Sequence, residues 1–330
     1  MEPRFQQRKE QLLAACQVSP TTFRGAVHRI EVFAQPFIAS LPSSESQQQT
    51  RTDLSGLLSD VEHKNAEAIA YRHDLDRQTL QHYIGTSPWD HQPPIDELNR
   101  PVAAALGRPS AVLVFDPSAF PKKGDASVGV QRQWCGRLGK VENCQVGVYL
   151  GYVSDVEQVL VDFRLDLPAE WAKDRKRRKR CGVPKEVRYR TRQELALEML
   201  QSRGPMLPHG WISGDDEMGR PAWFRKELAG RHERSLLAVP SHTSSRDLEA
   251  EPPPSGGHGR HPKAPFQGVR AWCAALPDEA WSRLAARHGA KGPLGVAIVA
   301  WRGAWSRRAH AGWWASRSCW WWCGPRKGAS

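Results

Sequence analysis

Two carboxylates stand where a sheet could offer them to a metal. The run Ala111-Val-Leu-Val-Phe-Asp116-Pro-Ser-Ala-Phe-Pro-Lys-Lys-Gly124 reads as an apolar strand that stops on an acid and turns into a basic, glycine-ended loop. The segment Trp211-Ile-Ser-Gly-Asp215-Asp216-Glu217-Met-Gly219 repeats the form, a short strand signal ending in carboxylates. Acids at the ends of adjacent strands sit outside the sheet edge, where open α/β sheets bind ligands, and adjacent strands lie about 4.8 Å apart. If the two strands are neighbours, Asp116 and Asp215 can share a divalent cation, and their hard oxygens suit Mg²⁺ or Mn²⁺. Two such ions roughly 3.5 to 4 Å apart activate a water or a 3′-hydroxyl and stabilise the departing oxygen in phosphodiester displacement. Either aspartate alone reads better as a turn or capping residue; the pair carries the signal. Asp216 and Glu217 are alternatives or supporting groups.

The elements that must hold these acids follow from periodicity. Residues 1–108 read as helical, with apolar positions at helical intervals in Phe23 to Ile38 and Leu54 to Tyr71, and with the Ser/Gln/Thr-rich stretch Ser43 to Thr52 as punctuation. Asn65 to Tyr71, then Arg72 to Asp76, then Arg77 to Tyr83 has the form helix, turn, helix; a DNA-reading pair and a plain packed pair fit it equally. From Ala111 the texture becomes strands: Val112 to Phe115, Val128 to Trp134, Cys144 to Val153 and Val159 to Leu165. Thr191 to Arg203 is an amphipathic helix opened by a capping box of Thr191 and Glu194. The strand Trp211 to Gly214, a helix over Pro221 to Arg231 and the strand Ser235 to Pro240 complete an α/β order. A Pro/Gly-rich insertion lies near residues 242–268.

Composition narrows the partners. The chain of 330 residues has a formal charge of +12 and a pI near 9.6, which points to a polyanion. Nine of the 47 Lys and Arg, and none of the 35 Asp and Glu, lie beyond Ala280. The run Lys173 to Arg190, with Arg175, Lys176, Arg177 and Arg178 at its centre, reads either as a DNA-tracking patch or as a solvated loop. Lys122 and Lys123 carry the same two readings. Seven cysteines without a CxxC pair indicate neither a zinc site nor a disulfide framework and fit a reduced cytoplasmic setting. No signal peptide and no membrane span is expected. Residues 296–330 hold half of the 14 tryptophans among Arg and Gly with no period, so an aberrant, disordered tail is expected there.

At these residues the chain resembles the DDE-type insertion-sequence transposases. The resemblance is carried by Val112 to Gly124, by Ser127-Val-Gly-Val-Gln-Arg-Gln-Trp-Cys-Gly-Arg-Leu-Gly-Lys-Val-Glu-Asn-Cys-Gln-Val-Gly147, and by Gly210-Trp-Ile-Ser-Gly-Asp-Asp-Glu-Met-Gly-Arg-Pro221. It implies a ribonuclease-H-like mixed sheet with flanking helices over residues 109–295, preceded by the helical region. It also implies Asp116 and Asp215 as the first two acids of a metal-binding triad, Lys122 and Lys123 as a DNA-contacting loop, and DNA, both element ends and target, as partner. A homo-oligomer is compatible with it. The family's third acid, a Glu on a late helix, has no counterpart; the last acid of any kind is Glu279, and the pattern fades after Leu294. A truncated or frame-shifted copy accounts for both, and a non-catalytic DNA-binding remnant is the alternative.

Overall fold

The computed structural model describes residues 25–247, 250–255, 257, 262–289, 292–301, 303–305 and 319–323. Two compact units divide between Arg100 and Pro101. The first is helical: α1 (Ala26–Ala39), α2 (Ser44–Leu57), α3 (Ala66–Arg72), α4 (Arg77–Gly85) and the start of α5 (Gln92–Leu106), which runs across the division. Helix α2 corrects the reading of Ser43 to Thr52 as punctuation. Ser43 is its N-cap, accepting from the Ser46 amide at 3.1 Å, and the small polar stripe Ser46, Gln49, Thr52 and Gly56 turns inward. An inward stripe of small polar side chains lacks the apolar period that marks most helices in sequence.

The expected pair of helices is present as α3 and α4. Asn65 caps the first through the Ala68 amide and Asp76 the second through the Gln78 amide. Asp74 takes a left-handed conformation in the turn between them, and Ile69, Ala70, Leu80 and Tyr83 form their shared core.

The second unit is built on one mixed sheet. Its strands are β1 (Val112–Pro121), β2 (Gln131–Cys135), β3 (Lys140–Val153), β4 (Gln158–Leu165), β5 (Trp211–Gly214) and β6 (Ser235–Leu237). The long β3 pairs antiparallel with β1 on one side and with β2 and β4, end to end, on the other. On the far side of β1, β5 and then β6 pair parallel. The order β4-β3-β1-β5-β6, an antiparallel meander continued by parallel strands, is the ribonuclease-H-like arrangement. Helix α8 (Arg192–Arg203), which follows two short helices, α6 (Ala169–Lys173) and the basic α7 (Arg175–Arg180), links β4 to β5. It packs on β3 and β4, and its capping box of Thr191 and Glu194 is formed as expected. Leu113, Phe115, Val146, Val148, Leu150 and Ile212 are buried in the sheet's covered face.

Strand β1 does not stop at Asp116. It continues five residues to Pro121, paired with β3 throughout, while its pairing with β5 ends at Phe115 and Gly214. Successive residues of a strand aim their backbone polar groups at alternate neighbours. The Ala111 carbonyl faces Gly210 and the Lys122 amide faces Asn143, so odd positions look toward β5 and even positions toward β3. Pro117 and Pro121 are odd, and each omits its N–H on the side where β5 has already ended. That placement is why two prolines are tolerated in a ten-residue strand.

Two smaller sheets follow. Strands β7 (Ser244–Asp247) and β8 (Gln267–Gly268) precede a helix over Val269–Ala275, in which Val269, Trp272 and Cys273 are buried. Toward the C-terminus, β9 (Ser282–Gly289), β10 (Gly292–Trp301) and β12 (Cys319–Cys323) form a sheet, and β11 (Gly303–Trp305) pairs with β7. Parts of a segment without sequence period are thus in strands, while the rest of residues 296–330 lies outside the described residues.

Candidate active site

The parallel register of β1 and β5 brings the two sequence-predicted acids together. The last paired positions are Phe115 and Gly214, so Asp116 and Asp215 are the next residue on each strand. Asp116 stands opposite Tyr149 of β3, is exposed, and accepts from the Ser118 hydroxyl at 3.2 Å. Asp215 leaves the strand to cap a four-residue helix, α9 (Asp216–Gly219), its Oδ1 accepting from the Met218 amide at 3.0 Å. The Asp215 carboxyl is pushed above its ordinary value, first by partial desolvation against the sheet, although its tip reaches solvent, and then by the charges of Asp216 and Asp116. The capping bond acts the other way. Two acids that feel each other's charge form a place for a cation.

The remaining acids go elsewhere. Glu217 is bound by Arg192 of α8, Nη1 to Oε1 at 2.6 Å. The same guanidinium donates to Asp166, just past β4, at 2.8 Å and to Gln133 of β2 at 2.9 Å. The Gln193 amide adds a bond to the Glu217 carbonyl at 2.8 Å. The first turn of α8 therefore grips the segment that carries Asp215, and Arg192, Gln133 and Glu217 line a cleft of about 340 Å³. Nothing in spacing announces this network, because Gln133, Asp166, Arg192 and Glu217 come from four separate segments. Asp216 is solvent-facing beside Arg220 at 3.5 Å, and Glu279 lies in a single 3₁₀ turn. Among the described residues no third acid, His or Cys joins Asp116 and Asp215 as a metal cluster. The hard-oxygen pair fits a divalent cation as part of a set, not as a closed cage.

The basic residues divide into two groups. Lys122 and Lys123 are exposed just past β1, where Asn143 binds the carbonyls of Lys122 and Gly124 at 2.8 Å each. Arg175 and Lys176 are exposed as well. Arg177 is not: its guanidinium lies 3.8 Å from the Trp171 ring centroid and donates to the carbonyls of Asp125 and Val130. Arg178 donates to the carbonyls of Pro184 and Val187. Both tie loops of the protein together, which their expected role as DNA contacts did not include. A basic run cannot reveal in sequence which of its members turn inward.

A family profile described as DDE superfamily endonuclease matches residues 36–293. A curated relative from Microchaete diplosiphon, named as a probable transposase for insertion sequence element IS701, is 30% identical over 197 residues, 57% of this chain and 47% of the relative. The chain spans about half the length of that relative.

Proposed function

The chain belongs to the DDE superfamily of endonucleases, and from that premise we propose that it derives from an insertion-sequence transposase whose chemistry is cation-dependent cleavage and transfer of DNA strands. The observation that supports this reading is the register that sets Asp116 and Asp215 each one residue past the last paired positions of β1 and β5. In this proposal these two carboxylates hold Mg²⁺ or Mn²⁺. The bound ions supply charge for the attacking and leaving oxygens of an in-line displacement. The chain's own residues do the rest. Ser118 fixes one oxygen of Asp116, the Met218 amide of α9 fixes one oxygen of Asp215, and Arg192 holds α9 in place through Glu217. Lys122 and Lys123 stand ready to neutralise phosphates beside Asp116.

The test joins strand cleavage with gel shift on element-end DNA. Asp116→Asn should abolish any Mg²⁺-dependent nicking and weaken Mn²⁺ binding measured by calorimetry, with DNA binding retained; unchanged nicking removes that carboxylate from the mechanism. A second reading, a DNA-binding remnant without cleavage, is favoured by a specific observation. No third acid joins the pair among the described residues, and the family match ends at residue 293. Binding without nicking supports it. We attribute the change of pattern near Leu294 to a frameshift, and reading the gene in its other frames is the check: no acidic, family-like helix in any frame there ends that attribution.

A further inference from the structure

One face of the main sheet is covered by α8, and the other carries a row of aromatic side chains that no described element buries. The alternation of β1, β2, β3 and β4 puts Asp116, Phe120, Arg132, Trp134, Tyr149 and Phe163 all on this open face, because their registered partners are Tyr149 for both Asp116 and Phe163, Gln145 for Phe120, Asn143 for Arg132 and Val141 for Trp134. Phe120 and Tyr149 meet edge to face at 6.2 Å, and Tyr149 and Phe163 stack at 6.2 Å. Exposure is 40% for Phe120, 42% for Phe163 and 62% for Trp134. Gly147 makes room for the platform: a Cβ there would lie 2.9 Å from the Tyr149 ring, so the ring rests across the glycine. Arg132 is exposed within the row, and Lys122 and Lys123 follow Phe120 at its end.

We propose that this face is a stacking platform for unpaired nucleotides of the DNA strand whose phosphate lies at Asp116. The inference rests on the function proposed above and names the state of the substrate. Aromatic rings on an open sheet, interleaved with cations, take up bases whose π-faces are free, and they cannot stack bases that remain paired inside a duplex. Tyr149 stands directly across from Asp116, so a strand held there has its next bases over Tyr149 and Phe163. Stacking tolerates every base, so the probe needs no knowledge of the end sequence.

The probe is a mixed-sequence single strand of about twelve nucleotides, within the usual range of roughly 4 to 16 for such sites, carrying one 2-aminopurine, together with its duplex form. Binding of the single strand should quench the fluorophore. Phe163→Ala, and separately Phe120→Ala, should weaken single-strand binding roughly 5- to 150-fold while leaving duplex binding unchanged, and Phe163→Trp should restore both affinity and quenching. Both phenylalanines are partly exposed, and an unchanged melting temperature checks that each variant is folded. If the chain binds duplex while the platform variants leave single-strand binding untouched, the platform is overturned and the proposed function stands. If neither DNA is bound, both fall. If the alanine variants change the oligomeric state and not DNA binding, the face is a protein interface and the proposal is overturned.

Discussion

Asp215 serves two ends that pull against each other. As the N-cap of α9 it stabilises a turn, and as the neighbour of Asp116 it keeps a negative charge where another already stands. Its carboxyl binds a proton more tightly in the folded state than in the unfolded chain. Its contribution therefore favours folding below the ordinary carboxylate range and is lost as pH rises through the raised folded value. Asp215→Asn keeps a capping oxygen and removes the charge, so it should raise the melting temperature at neutral pH and change it little in acid. Calorimetric melts at the two pH values measure this; a lower melting temperature at neutral pH would count against electrostatic strain at the site. The same sign makes cation affinity rise with pH, since the cation competes with the proton. At this scale the sequence was informative: strand-then-acid is a local pattern, and it located Asp116 and Asp215. It could not show that Glu217 turns away to Arg192, because that bond depends on the placement of α8.

The elements hold one another through buried polar ties as well as apolar contact. Asp162 of β4 and Arg203 of α8 form an almost fully buried ion pair at 2.8 Å, and Asp162 also accepts from Arg164. Removing one partner strands the other, so Asp162→Asn should cost about 3 to 5 kcal/mol in urea unfolding. The double change Asp162→Leu with Arg203→Met should recover much of that loss. In the helical unit the tight contact is at Gly56, where a Cβ would fall 2.3 Å from Ile69 Cγ2. Gly56→Val should therefore destabilise the packing of α2 on α3 by about 1 to 3 kcal/mol, read from thermal melts. Strong local signals marked α8 and β5 well, since the capping box and the strand run are short-range features. Weak ones failed at α2, whose inward face is polar, and at β1, whose continuation past Asp116 depends on its partner β3.

Over the whole molecule the +12 charge promises salt-sensitive binding, but the structure separates cations that face water from cations that bind the protein. Replacing Lys122, Lys123, Arg175 and Lys176 together by alanine should lower the slope of log affinity against log salt by up to about 3 to 4 on duplex DNA. Replacing Arg177 and Arg178 should instead lower the melting temperature, because they hold the loops at Val130 and Val187. Filter binding across a salt series distinguishes the two sets. Mean charge was legible from composition; its division was not, since neighbouring residues of α7 point to different surroundings. The prolines of β1 carry a last consequence. With no amide to give at 117 or 121, and Ala119 alone left as a donor between them, the margin beyond Asp116 is a poor template for a foreign strand. On the function proposed above, that leaves the approach to the aspartates open to a sugar-phosphate chain.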